Sequence, residues 1–312
     1  MSITKEDIAS VKSRGFLLNR GTECFSGRIV PIGGQFSADD LKAVAACAQQ
    51  FGNGTVIFTS RLTAEIVGIP FDKIKDAEAF MEERNLHFGG TGATVRPLTA
   101  CKGTTCVYGN IDTHALVTTL HEKFYVEMGN VALPHKFKIS VGGCPNSCMK
   151  PSLNDVGIEG CRVFQAELEK CRACKNCFVA SSCPSKAVSL EADGHAVLDT
   201  DKCNSCGVCI SKCPFGAFPK TAQSGCHVFV GGTWGKTQRI GTRLAGIYTV
   251  DEIPTIVEKV LLWYKENGRA KERLGAAIDR IGVDVLEKAL ASDDLLNRRD
   301  EILAAPIKPN VK

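Results

Sequence analysis

"HKFKISVGGCPNSCMKP", residues 135–151, sets Lys136 and Lys138 on alternate positions and follows them with Cys144 and Cys148 in a C-x-x-x-C pair. A strand over Lys136 to Val141 puts both ammonium groups on one face, roughly 6 to 7 Å apart, which suits an oxyanion. Zinc knuckles favour C-x-x-C with histidines, so the spacing points away from structural zinc.

Outward from this stretch the cysteines fall into groups. Of 16 in the chain, eight lie in "CRACKNCFVASSCP" and "CNSCGVCISKCP", residues 171–184 and 203–214. These read C-x2-C-x2-C-x5-C-P and C-x2-C-x2-C-x3-C-P, an internal repeat of about thirty residues. Such a run ligates a cubane with its first three thiolates while the fourth crosses to the other cluster. On that rule Cys171, Cys174, Cys177 and Cys213 hold one [4Fe–4S] cluster, and Cys203, Cys206, Cys209 and Cys183 the second. The two extra residues of the first repeat read as a loosened loop or as a different cluster type. A zinc ribbon is the bland alternative for the whole block. Cys101 and Cys106 in "ACKGTTCVYG", with Cys144 and Cys148, make a third tetrad from two separated loops. Cys24, Cys47, Cys161 and Cys226 belong to no spacing and read as small buried hydrophobes. His114, His121 and His135 sit in no metal spacing either.

At 312 residues and 44% apolar content the chain can fill two or three domains with cores. Its net charge of +4 is mild and its basic residues are scattered, which argues against nucleic acid as a partner. "MSITKEDIAS" lacks an apolar signal region and no run of about eighteen apolar residues occurs, so a cytoplasmic, membrane-free protein is expected. Cysteines in that compartment are reduced metal ligands sooner than disulfides.

Residues 20–90 read as an α+β unit. "GRIVPIGG" is a strand, and Ser37 with Asp40 is a capping signal for a helix whose apolar face is Leu41, Val44, Ala45 and Ala48. "GTVIFTSRLTAEIVGI" reads as a strand and "FDKIKDAEAFMEERNL" as a second amphipathic helix. The turn-rich cysteine block looks inserted. After it, "GCHVFVGGTWGKTQR" resumes a strand with a glycine-rich turn, residues 250–292 are mostly helical, and the last dozen residues read as a poorly ordered tail. No G-x-G-x-x-G stands in a Rossmann context, so electrons are expected from another protein.

"RIVPIGG", "FTSRLTAEIVGI", "VRPLTACKG", "LPHKFK", "GGCPNSC", "VFVGGTWGK" and "KERLGAAIDRIG" follow one another along the chain. In these stretches it resembles the sirohaem-containing sulfite and nitrite reductases, and with the inserted ferredoxin it resembles their small anaerobic type. One departure is the first pair, C-x4-C here where many members have C-x5-C.

The resemblance implies an α+β fold: a sulfite/nitrite reductase ferredoxin-like half-domain (1–94), a sirohaem and [4Fe–4S] binding α/β domain (95–164 and 221–312), and an inserted 2x[4Fe–4S] ferredoxin domain (165–220). It implies sirohaem and three [4Fe–4S] clusters, with Cys148 bridging cubane and haem iron. Arg28, Arg96, Lys136 and Lys138 would face sulfite or nitrite; arginine forks and lysine ammonium groups supply charge-assisted bonds and protons. Arg61, Lys236 and Arg239 would offset the eight carboxylates of the macrocycle, Gly231 and Gly232 would let backbone approach it, and Asn146 lies beside the cluster ligands. The activity implied is six-electron reduction of sulfite to sulfide, fed by a ferredoxin or by flavin or iron–sulfur reductase subunits. Nitrite reduction to ammonia, or an electron-transfer subunit with a degenerate haem site, are the alternatives. Since larger relatives carry each half twice and this chain carries it once, a homo-oligomer built on a dimer is expected.

Overall fold

Two capping boxes start the first helices, and both are legible in the chain. In a computed structural model describing residues 3–310, Thr4 and Asp7 exchange side-chain and backbone bonds ahead of α1 (Lys5–Lys12). After β1 (Phe16–Leu18) and β2 (Cys24–Ile29), Ser37 Oγ accepts from Asp40 N–H at 3.0 Å and Asp40 Oδ2 from Ser37 N–H at 2.8 Å. These bonds satisfy amides that the first turn of α2 (Ala38–Phe51) leaves free. Next come β3 (Val56–Phe58), β4 (Ala64–Pro70) and α3 (Ile74–Glu82). The four strands pair antiparallel in the order β1-β2-β4-β3. Val44, Cys47 and Ala48 of α2 and Ile74, Ala77 and Met81 of α3 share a core with Ile29, Ile66 and Ile69.

Two expectations are corrected here. The inward face of α2 runs through Val44, Cys47 and Ala48, whereas Leu41 and Ala45 are exposed. "GTVIFTSRLTAEIVGI" is two strands: Thr59 N–H bonds to Thr63 O at 2.9 Å and their hydroxyls meet at 2.7 Å, closing a turn in the middle. Alternation of side chains cannot distinguish one long strand from a hairpin.

The second unit begins with β5 (Thr99–Ala100) and α4 (Thr113–Leu120), which continues through a π-helical stretch over His121–Glu127. Then β6 (Ile139–Gly142) and β7 (Val156–Val163) pair parallel, as do β5 and β6. The chain leaves the sheet for α5 (Phe178–Ser182), β8 (Val188–Leu190) and β9 (Ala196–Leu198). It returns as β10 (Gln223–Val230), antiparallel to β7, and β11 (Thr242–Arg243). Because Gln223 pairs with Val163, the cysteine block hangs from the open end of one strand pair. The block has its own small core around Val179, Val188 and Phe218.

The five-stranded sheet and α6 (Ile253–Asn267), α7 (Leu274–Ile281), α8 (Val283–Leu290), α9 (Asp294–Asn297) and α10 (Arg299–Ala304) share one core, which includes Val228, Val257, Leu261 and Leu286. Buried charges on α6 are answered: Glu258 by Lys123 and Arg299, Lys259 by Asp293, and Lys265 by the Ala132 carbonyl. The expected loose tail is corrected over its described part: α10 runs to Ala304, and Ala270 N–H bonds to Lys308 O at 2.8 Å, with residues 311–312 outside the described residues.

Candidate functional site: cations, thiols and a cavity between them

Parallel pairing brings the third tetrad together. Thr99 lies beside Ser140 and Ala100 beside Val141, so the loops leaving β5 and β6 emerge side by side from one end of the sheet. Cys101 and Cys106 ride on the first loop, Cys144 and Cys148 on the second. Gly143 N–H donates to Cys101 Sγ at 3.1 Å. A Cβ on Gly143 would stand 3.0 Å from Gly103 Cα, so glycine allows the loops to touch. Burial raises the Cys144 thiol, as do the nearby Cys101, Cys106 and Cys148, while the Asn146 N–H opposes the rise. Asn146 itself is exposed.

In the block the eight cysteines fall around two cavities, four to each. A cavity of about 210 Å³ is lined by Cys171, Cys174, Cys177 and Cys213. A tighter one is lined by Cys183, Cys203, Cys206 and Cys209. Burial pushes the Cys209 thiol up to about 12, with Cys203, Cys206 and Cys183 adding to it. Backbone N–H groups of Ser185, Ala187 and Val188 surround Cys183, those of residues 215–218 surround Cys213, and both thiols sit below their ordinary value despite burial. Donors aimed at sulfur favour thiolate, the form that binds iron. Among the described residues no three His, Cys, Asp or Glu side chains close around a point as a single metal ion needs. The four unassigned cysteines stay apart from these sets, and Cys47, Cys161 and Cys226 are buried.

The cations gather around the chain that leads into β6. β6 begins only at Ile139, a correction to the expected strand from Lys136: Phe137 makes a lone bridge to Val95, and Lys138 N–H is held by Asp155 Oδ2 at 2.9 Å. Burial still alternates, with Phe137 and Ile139 inside and both lysines partly open. Burial lowers the Lys138 ammonium to about 8, helped by Arg61, Arg273 and Lys136; Lys136 is lowered by burial, Arg273 and Arg96. Arg28 faces Glu65 across β2 and β4 and donates Nε at 2.8 Å and Nη2 at 2.6 Å to Oε1. Arg28 Nη1 also donates to Gly90 O at 2.8 Å, and Arg96 Nη1 uses the same carbonyl. Arg96 Nε is buried with no partner among the described residues, a costly donor for a protein to leave free.

Other expected cofactor contacts are engaged inside the protein. Arg61 donates to Pro97 O at 3.0 and 2.5 Å, Asn154 Oδ1 at 3.0 Å and Ile139 O at 3.1 Å, clamping the turn before β4 onto the second sheet. Burial lowers it to about 10. Arg239 pairs with Asp279 at 2.7 Å and also donates to Gly231 O at 3.2 Å. A Cβ on Gly232 would lie 2.3 Å from Ser152 O and one on Gly231 2.9 Å from Gly275 Cα, so these glycines admit their own chain's backbone. Lys236 is exposed.

Sequence reading missed Asp155 and Arg273. Asp155 is fully buried, accepts from Arg273 at 2.7 and 2.9 Å, and binds the Lys138 amide. Burial raises this carboxyl and Arg273 opposes the rise. Arg273 stands in "KERLGAAIDRIG", where a lone arginine before a helix carries no local sign of a partner 118 residues away. The thiol and cation sides meet at a cavity of about 330 Å³ lined by Arg61, Lys138, Cys148, Lys150, Asn154 and Trp234, among others. Lys150 and Trp234, its ammonium 5.9 Å from the ring centroid, were not anticipated either.

Comparison with known proteins agrees with this layout. The chain matches the nitrite/sulfite reductase ferredoxin-like half domain over residues 18–84 and the nitrite and sulphite reductase 4Fe-4S domain over residues 91–297. It is 31% identical over 253 residues to a coenzyme F420-dependent sulfite reductase of Methanocaldococcus jannaschii, covering 80% of this chain but 39% of that protein. It is 28% identical to one of the subunits of the anaerobic sulfite reductase of Salmonella typhimurium, covering 84% of this chain and 81% of the relative. In fold it is similar to dissimilatory sulfite reductase I, with TM-score 0.68 and 20% identity over 92% of this chain and 73% of that one. With both domain matches in order, and the larger spanning the thiol tetrads and Arg273, the chain belongs to the nitrite and sulphite reductase family.

Proposed function

We propose that this chain reduces sulfite to sulfide at a sirohaem site, with electrons relayed through its cysteine block. The observation that carries the reading is the 330 Å³ cavity with Lys138 and Arg61 on its cation side and Cys148 on its thiol side. The residues fit the group. A macrocycle rich in carboxylates needs cations and open space, and Lys138, Lys150 and Arg61 line that space. The unpartnered Arg96 Nε fits an anion that the protein does not itself supply. Cys101, Cys106, Cys144 and Cys148 would hold the adjacent [4Fe–4S] cluster, and the two four-cysteine sets of the block a cluster each, the block being an inserted ferredoxin domain over about residues 165–220.

When bound, sirohaem supplies the iron that takes the anion and passes it electrons. The chain supplies charge and protons. Arg28 and Arg96 are fixed side by side by the shared Gly90 carbonyl, and of the four residues expected to face the anion Lys138 is the one that lines the cavity. Lys138, lowered to about 8, is close enough to ambient pH to give up a proton and regain it. Lys136 adds charge beside it. The electron donor is a separate ferredoxin or a flavin or iron–sulfur subunit. The reading also includes a dimer: edge strand β3 leaves Ile57 and Phe58 more than half exposed, a surface that a second copy would cover.

Nitrite is likewise a small oxyanion that a cationic pocket attracts, so reduction of nitrite to ammonia is the second reading. Anaerobic turnover of both anions with a viologen donor decides between them through the kcat/KM ratio. A visible spectrum of purified holoprotein lacking Soret and red-region bands overturns the enzyme reading in favour of an electron-transfer subunit.

A further inference from the structure

The two cysteine sets of the block differ in what they touch. Arg162, on β7, donates its backbone N–H to Ser205 O at 2.8 Å, next to Cys206. Its stem lies across Gly207 (φ +80°), where a Cβ would come within 2.5 Å of Arg162 Cγ, so only glycine admits it. Arg162 Nε donates to Asn110 Oδ1 at 3.1 Å, and Asn110 Nδ2 reaches Gly160 O at 3.3 Å and Cys206 O at 3.5 Å. On its other side the Asn110 amide donates to Gly143 O at 2.8 Å, the carbonyl joined to Cys144, while Gly109 N–H donates to Cys106 O at 2.9 Å. One buried asparagine thus bonds the ligand loops of two sets. The Cys171 set bonds within the block, Ala196 N–H to Cys171 Sγ at 3.3 Å and Ala180 N–H to Cys177 Sγ at 3.5 Å. Beside it Phe178 and Phe215 are 68% and 51% exposed.

Resting on the cluster assignment above, we propose that Asn110 and Arg162 form the junction through which electrons leave the block. The cluster on Cys203, Cys206, Cys209 and Cys183 is then the proximal one, and the cluster on the Cys171 set is the distal one that receives electrons first. The step moves one electron from the reduced proximal cluster to the oxidised cluster of the Cys101 tetrad, with no bond made or broken and no proton moved. Its reductant is a one-electron donor of the viologen, flavin or iron–sulfur class. Electron tunnelling falls steeply across empty gaps and less through bonds. A residue that binds both ligand loops therefore sets the rate by position, and Asn110 is a positioning residue.

The test uses the full holoprotein, its iron and sulfide counted first. Fully reduced protein should show, by electron paramagnetic resonance, a spin–spin splitting between the tetrad cluster and a cluster of the block, over and above any coupling of the tetrad cluster to the haem iron. C206A should abolish that coupling and C174A should keep it; the reverse pattern overturns the order. N110A should keep its iron content and its rate of block reduction by reduced methyl viologen, yet slow reduction of the tetrad cluster and weaken the coupling. If both cysteine variants lose the whole block, N110A decides alone, and unchanged coupling and rate in it overturn the junction. Wild-type protein with tetrad iron but none in the block overturns the relay reading itself, a result told apart by the iron count.

Discussion

The cation pocket and the cysteine block are held together by different means. In the pocket three of the arginines are tied to protein: Arg28 to Glu65, Arg61 to three other residues, Arg273 to Asp155. These groups stand between two sheets with cores of their own. The block has strands of three residues, a core of seven buried residues, and cavities walled by thiols. A core that small does not by itself offset the conformational entropy of some sixty residues, so on the proposed cluster assignment the block takes its order from what its thiols bind. On that assignment the pocket is organised before any ligand arrives and the block by its clusters.

The comparison breaks most visibly on removal of iron. Stripping the clusters should cost residues 164–222 their amide protection, with exchange faster by roughly a thousandfold or more, while β2, β4, β6 and β7 stay protected. Hydrogen exchange followed by mass spectrometry reads this directly. A block that keeps its protection without iron would show that its core suffices and would erase the contrast.

A smaller effect, confined to the pocket, is expected from Asp155→Asn. It leaves Arg273 beside a neutral, fully buried partner, and breaking such a pair costs about 3–5 kcal/mol. Lys42→Ala, whose ion pair with Asp39 is almost wholly exposed, should cost about 0–1 kcal/mol. Urea midpoints of the two variants provide the check, and equal values would mean that the Asp155 pair is not buried in solution.

Much of this was legible in the sequence where the signal is local. The Ser37–Asp40 box lies within one turn, and the short spacings of the block already group Cys213 with Cys171, Cys174 and Cys177, and Cys183 with Cys203, Cys206 and Cys209, the sets that line one cavity each. The pairing of β5 with β6 was not legible, yet it alone makes neighbours of Cys101 and Cys144. Asp155, Glu65, Gly90 and Asn110 were missed for one reason. Each acts through a partner 17 to 118 residues away, and a single carboxylate, glycine or asparagine carries no sign of that partner in its own neighbourhood. The resemblance offers Arg61 to the cofactor, and a sequence shows that the arginine is present but not that the Pro97 and Ile139 carbonyls take most of its donors.

Next in size come Lys136→Ala and Lys138→Ala, which should lower kcat by about tenfold or more while leaving haem spectrum and iron content intact. Cys148→Ser, on the thiol side of the same cavity, should disturb the spectrum itself. Anaerobic turnover beside absorbance spectra separates the two behaviours. Lysine variants that turn over both anions normally would remove the substrate role from the pocket.

The smallest effect sharpens the comparison by asking whether the pocket is dry. Lys138 is held at about 8 first by burial, then by the like charges of Arg61, Arg273 and Lys136, with Asp155 opposing. In the unfolded chain the amine keeps its proton up to about 10.4. Between those two values the unfolded state binds more protons than the folded one, so this group makes folding more favourable as pH rises through that window. Anion binding runs the other way: the ammonium is present below about 8 and is lost above it, so affinity should fall as pH climbs past that point. Carbon-detected NMR titration of the lysine Cε signals gives the value directly. Lys136→Ala should move it upward, because one of the repelling charges is gone. A Lys138 that titrates like a free amine in both proteins would show a solvated pocket, and the difference between a prebuilt pocket and a ligand-built block would then narrow to the buried Asp155 pair alone.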